Sequence, residues 1–250
     1  TFHAIRLEPY LEATARAHPE YLDRLMALSA RTAATKKTLV HGDVSPKNIL
    51  LGPQGPVYLD AECAWYGDPA FDAAFCLNHL LLKGAWRPDR VAAYLDCFLA
   101  YGQTYLDGAD WEPADALEER VATLLPGLFL ARIDGKSPVE YLTQDTQKNR
   151  VRRAATRLLQ KPVSRLADIA AVWQKEVKAW QGRKSLRCEG DESGIRADGP
   201  RLKRKSSWWT ARLAAPSHPP GHRVEVAKPS ICATVEKRSA GLMFCGRLKA

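Results

Sequence analysis

His41-Gly42-Asp43-Val44-Ser45-Pro46-Lys47-Asn48 sets an aspartate and an asparagine five positions apart on a loop between two extended pieces, Thr38 to Val40 and Asn48-Ile49-Leu50-Leu51. The second piece continues through the turn-rich connector Gly52-Pro53-Gln54-Gly55-Pro56 into Val57-Tyr58-Leu59, a pattern that predicts a hairpin. Asp60 stands at the exit of that hairpin. Moving a phosphoryl group from ATP needs a carboxylate to accept the proton of the attacking hydroxyl, and oxygen ligands to hold magnesium against the phosphates. Asp43, Asn48 and Asp60 supply both kinds of group. A tight loop followed by a returning hairpin predicts that the three converge.

On both sides of this stretch the chain reads as helical. Leu22, Leu25, Met26 and Ala30 recur at helical spacing after Pro19, which predicts an amphipathic helix over about residues 19 to 34. Asp68-Pro69 has the chemistry of a helix start, and Phe71 to Leu82 is apolar on nearly every side, so that helix should be buried. Three further periodic sets follow: Val91, Tyr94, Leu95 and Phe98; Leu117, Val121, Leu124 and Leu128; Leu166, Ile169, Trp173, Val177 and Trp180. The predicted fold class is α+β, mainly helical around one small β-hairpin that carries the active site. After about Trp180 the periodicity stops, and Gly, Pro, Ser and basic residues dominate. The predicted division is a folded unit over 1–180 and a basic, disordered tail over 181–250.

The formal net charge of +9 belongs to that tail. Residues 1–180 hold 22 Lys and Arg against 22 Asp and Glu, which leaves 15 basic and 6 acidic residues beyond. The folded unit therefore has no net basic excess to suggest a nucleic-acid partner. Trp208 and Trp209 beside basic residues would suit a nucleic-acid or membrane arm. Charge runs are commonly just solvated chain, and out-of-frame translation would give a similar composition, so no nucleic-acid or membrane partner is expected. The opening residues lack the order of a signal peptide, no run approaches about 18 apolar residues, and six cysteines occur without a C-x-x-C pair. The expectation is a cytoplasmic protein with reduced thiols.

The stretch from Leu39 to Leu82 resembles the aminoglycoside phosphotransferase family, relatives of choline kinases and protein kinases. His-Gly-Asp with Asn at plus five, the strand-borne Asp60-Ala61-Glu62 and Gly67-Asp68-Pro69-Ala70-Phe71-Asp72 carry the likeness. Gly42 replaces the arginine usual in protein kinases, Ser45 replaces a lysine, and Asp60-Ala61-Glu62 replaces Asp-Phe-Gly, which favours the small-molecule kinases. The resemblance implies a protein-kinase-like C-terminal lobe over residues 1–180. It also implies ATP and Mg2+ as cofactors and a small-molecule hydroxyl as acceptor. Asp43 would be the catalytic base, Asn48 and Asp60 the magnesium and nucleotide-phosphate ligands, and His41 and Asp72 structural supports of the loop. Glu62 is a further candidate near metal or substrate, or else a solvated carboxylate.

Departures matter as much. No glycine precedes Gly42, and the only lysines before the motif are Lys36 and Lys37, beside it. The glycine-rich loop and the strand lysine that grip ATP in kinases are not in this sequence. The expectation is an N-terminally truncated chain without the N-terminal lobe, inactive alone, with a catalytically inactive remnant or binding module as the alternative. Asp110, Glu112, Asp115, Glu118 and Glu119 could draw a cationic acceptor, or could be the first-turn acids of a helix beginning near Pro113. The identity of the acceptor and the oligomeric state do not follow from these residues.

Overall fold

Fifteen buried positions of one helix, thirteen of them consecutive and the run broken only at Lys83, decide how the rest is arranged. This helix, α3 (Ala70–Trp86), is lined by Phe71, Phe75, Leu77, Leu81 and Leu82 on nearly every side, as the apolar run predicts. The computed structural model describes residues 1–188. Before α3 the chain forms a wide π-helical segment, His3–Glu12, that runs into α1 (Ala13–Ala17), then a 3₁₀ turn at Pro19–Tyr21 and α2 (Leu22–Ala34). Four short strands follow: β1 (Thr38–Val40), β2 (Ile49–Gly52), β3 (Gly55–Tyr58) and β4 (Trp65–Gly67). After α3 come α4 (Val91–Asp107), α5 (Ala114–Asp134), α6 (Asp145–Gln160) and α7 (Leu166–Cys188). The remainder of the predicted tail lies outside the described residues.

Helices α4 and α5 pack most extensively along α3, and α6 packs on α5. The core is continuous from Leu7 and Leu11 of the first segment to Trp173 and Val177 of α7. Gly127 of α5 permits one of the closest approaches. A Cβ there would lie 3.0 Å from Leu11 and 3.2 Å from Leu25 side-chain carbons, so any side chain would push the first helices outward.

The predicted hairpin forms between β2 and β3, in the register Ile49 to Tyr58 and Gly52 to Gly55. A second ribbon, β1 with β4, pairs Val40 with Trp65 and is absent from the sequence reading. Its strands are three residues long, too short for alternation to register. The first segment and α6 are also absent from that reading. Pro9 breaks the usual helical pattern of the first, where the wider π geometry accommodates it. The opening of α6, Asp145 to Arg150, is polar throughout, although Val151, Ala154, Ala155, Leu158 and Leu159 form a buried stripe at helical spacing. Cys63 and Cys76 are buried free thiols. Among the described residues no helix is long and apolar enough to cross a membrane.

Phe129 of α5 meets Trp173 of α7 edge to face at 5.3 Å, with both rings buried. Truncation to Phe129→Ala should cost about 3–5 kcal/mol, the range for a buried aromatic, read as a fall in the urea midpoint at unchanged slope.

Candidate active site

The loop after β1 is held from beneath by a carboxylate on the first turn of α3. Asp72 accepts the His41 amide on Oδ2 at 2.7 Å and the Gly42 amide on Oδ1 at 2.8 Å. Burial pushes Asp72 up to about 6 even though both amide bonds favour its charged form. Gly42 has φ 81°, and a Cβ there would come within 2.7 Å of the Cys63 carbonyl oxygen and 3.1 Å of the Phe2 ring. Conformation and space both require glycine where protein kinases carry arginine.

His41 links loop and hairpin. Its Nδ1 accepts the Asp43 amide at 3.2 Å, so Nε2 carries the proton and donates to the Leu59 carbonyl at 3.0 Å. The Leu59 amide in turn donates to the Asn48 carbonyl at 2.9 Å. Leu59 is thus tied on both sides, and the next residue is Asp60. Among the described residues Asp60 is the one non-glycine in the left-handed region, with φ 60° and ψ 49°, and its side chain is exposed. Such a conformation costs of order 1–3 kcal/mol and persists only where the surroundings impose it.

Asn48 is buried, and its Nδ2 donates both to the Asp43 carbonyl and to Asp43 Oδ2, each at 3.0 Å. Both amide hydrogens are consumed, which leaves its Oδ1 as the group available to a cation. Asp43 has a second partner that sequence reasoning missed. From the π-helical segment, Arg6 reaches Asp43 Oδ2 at 3.2 Å and donates through Nε to the Gly42 carbonyl at 2.5 Å. Nothing in the local sequence marks Arg6, because only the tertiary packing of the first helix brings it to the loop. Two donors converge on Oδ2, while Oδ1 of Asp43 takes part in no hydrogen bond or ion pair among the described residues.

The structure therefore brings His41, Asp43, Asn48 and Asp72 into one bonded network and carries Asp60 to its edge through Leu59. Glu62 lies exposed on the 3₁₀ turn Ala61–Cys63, and neither it nor Asp60 forms an ion pair among the described residues. No three His, Cys, Asp or Glu side chains among the described residues group as a metal cage. A carboxamide oxygen and an exposed carboxylate are ligand types that suit magnesium, which keeps waters and phosphate oxygens and needs only one or two protein ligands. Trp65 is packing: its ring stacks on Phe2 at 4.1 Å, with Lys36 over it at 3.5 Å.

Three of the acids before and within α5 are already paired with arginines. Arg120 binds the nearly buried Glu112 together with Asp68, Arg165 binds Glu118, and Arg31 binds Glu119. Asp68 also accepts the Ala70 amide at 3.0 Å and so caps the start of α3.

Residues 2–104 match the family model described as the phosphotransferase enzyme family, APH. The matched segment runs from the helix that carries Arg6 through the loop, hairpin and α3 into α4, and the likeness read from the motifs is found there again. No curated protein matches the chain.

Gly42→Ala should destabilise by about 1–3 kcal/mol through strain alone. For Asp72 the folded value of about 6 exceeds the ordinary carboxylate value, so the native state binds the extra proton between about pH 4 and 6. Stability from this group is then greatest below that window and falls as pH rises through it. The unfolding free energy of the protein minus that of Asp72→Asn should decline from pH 4 to 6.5 and level off above, as read by urea titrations at each pH.

Proposed function

We propose that this protein is an ATP-dependent phosphotransferase that moves the γ-phosphate to a hydroxyl of a small molecule. The asymmetry of Asp43 carries the reading. Oδ2 is tied by Arg6 and Asn48, while Oδ1 is left to meet a proton. In the step itself the acceptor hydroxyl bonds to phosphorus and gives its proton to Asp43 Oδ1. The bond to the bridging oxygen breaks with its electron pair leaving on the diphosphate.

Arg6 and Asn48 act as positioning residues that fix the carboxylate plane. Asn48 Oδ1 and Asp60 would hold magnesium, which supplies neutralisation of the phosphate charge. Asp72 and His41 keep the loop and the hairpin exit in register with each other. A glycine-rich phosphate loop and a lysine for the nucleotide have no counterpart before Gly42, so the reading requires that grip from outside residues 1–188.

The full-length gene product, assayed for ATP-dependent phosphorylation over a panel of small alcohols, should lose about 10²–10⁴-fold in kcat on Asp43→Asn with its thermal transition unchanged, as for removal of a general base. Near-normal turnover in that variant would dismiss Asp43 as the base.

A further inference from the structure

One run of contacts leads away from Asp43 into a face that carries cations. The Arg6 guanidinium lies 5.9 Å from the Phe75 ring centroid, and Phe75 meets His79 edge to face at 5.2 Å. The Tyr141 hydroxyl stands 3.5 Å from His79 Nδ1, and the Lys83 ammonium lies 5.1 Å over the Tyr141 ring. Arg132 flanks the same face, donating to the Tyr10 hydroxyl at 3.2 Å and to Ser137 Oγ at 3.0 Å. Lys47 projects from the catalytic loop itself, four residues after Asp43, and is exposed.

None of Lys47, Lys83 and Arg132 forms an ion pair with a carboxylate among the described residues. Burial and then the charges of Arg132, Lys83 and Lys47 push His79 down to about 3, so it stays neutral and adds no counter-charge. Burial also lowers Lys83. The rings beside Lys83 attract its ammonium but carry no net negative charge. Arg132 Nε is buried without a partner. Three cations around a neutral imidazole repel one another, and a bound anion relieves that repulsion. Of the acids that could have drawn an amine, Glu112, Glu118 and Glu119 are paired with Arg120, Arg165 and Arg31.

We propose that Lys47, His79, Lys83, Arg132 and Tyr141 form an acceptor subsite for an anionic group. The acceptor is then a hydroxylated carboxylate or phosphate monoester, not an amino alcohol. Its role in selecting the acceptor rests on the reading of Asp43 as base, but its binding of anions does not.

The test titrates the full-length protein with inorganic phosphate, glycolate and ethanolamine, following the His79 ring resonances, identified by their loss in His79→Gln. Phosphate or glycolate should shift them saturably and ethanolamine should not, and whichever anion binds tighter names the group. Lys83→Glu should weaken anion binding about tenfold or more, the effect of losing one charge-assisted hydrogen bond. Lys83→Gln, which keeps the stem, should change it in the same direction. An equal response to ethanolamine, or unchanged anion binding in both variants, overturns the subsite. Anion binding with no transfer to any hydroxylated anion keeps the subsite and sinks the phosphotransferase reading. Transfer to neutral or amine-bearing alcohols without an anion response does the reverse.

Discussion

A single buried carboxylate on the first turn of α3 holds the loop after β1 to the helical core. Asp72 accepts two consecutive backbone amides, which fixes the loop's height and rotation above the helix in a way that a side-chain contact could not. Everything on the loop inherits that frame. Gly42 must turn through positive φ to present both amides, and His41 must face the hairpin. Desolvation pushes Asp72 toward its neutral form, yet only the unprotonated carboxylate offers both oxygens fully as acceptors. The anchor therefore stays close to its limit, and burial in α3 is what both strengthens its bonds and raises its proton affinity.

Above the anchor the chemistry is set by an unequal division of donors. Asn48 and Arg6 both address one oxygen of Asp43, and Asn48 spends its second amide hydrogen on the same residue's carbonyl. Two neighbouring side chains of a loop thereby acquire different tasks. One carboxylate oxygen is tied by two donors and the other is left without a partner among the described residues, while the carboxamide oxygen is not needed by the loop. Asp60 and Glu62 stay exposed and without ion pairs, which concentrates negative charge where a divalent ion would sit.

Much of this was legible beforehand, and the reasons for the gaps are physical. Helices α2, α4, α5 and α7 announce themselves because each buries a face whose apolar residues recur every three or four positions, and α3 because it is apolar on nearly every side. The hairpin is visible through its Gly-Pro connector. The ribbon of β1 with β4 is too short for periodicity, the π-helical opening breaks the usual spacing, and α6 hides a narrow stripe behind a polar start. Asp43, Asn48 and Asp60 stand out because they are the groups phosphoryl transfer would ask for, whereas Asp72 reads as an ordinary first-turn acid and is singled out only by the family resemblance. Arg6 could not be seen, since its partner lies 36 residues away and depends on how the first helix docks. The basic face around His79 is likewise tertiary, assembled from the loop, α3, α5 and the turn before α6.

The docking of Arg6 also couples the loop to the segment His3–Glu12. Leu7, Tyr10 and Leu11 of that segment are buried in the core, so Arg6 is placed by packing and not by the loop it serves. A substitution that loosens those three side chains would withdraw one of the two donors from Asp43 Oδ2, while Asp72, seated on α3, would keep its hold on the two backbone amides.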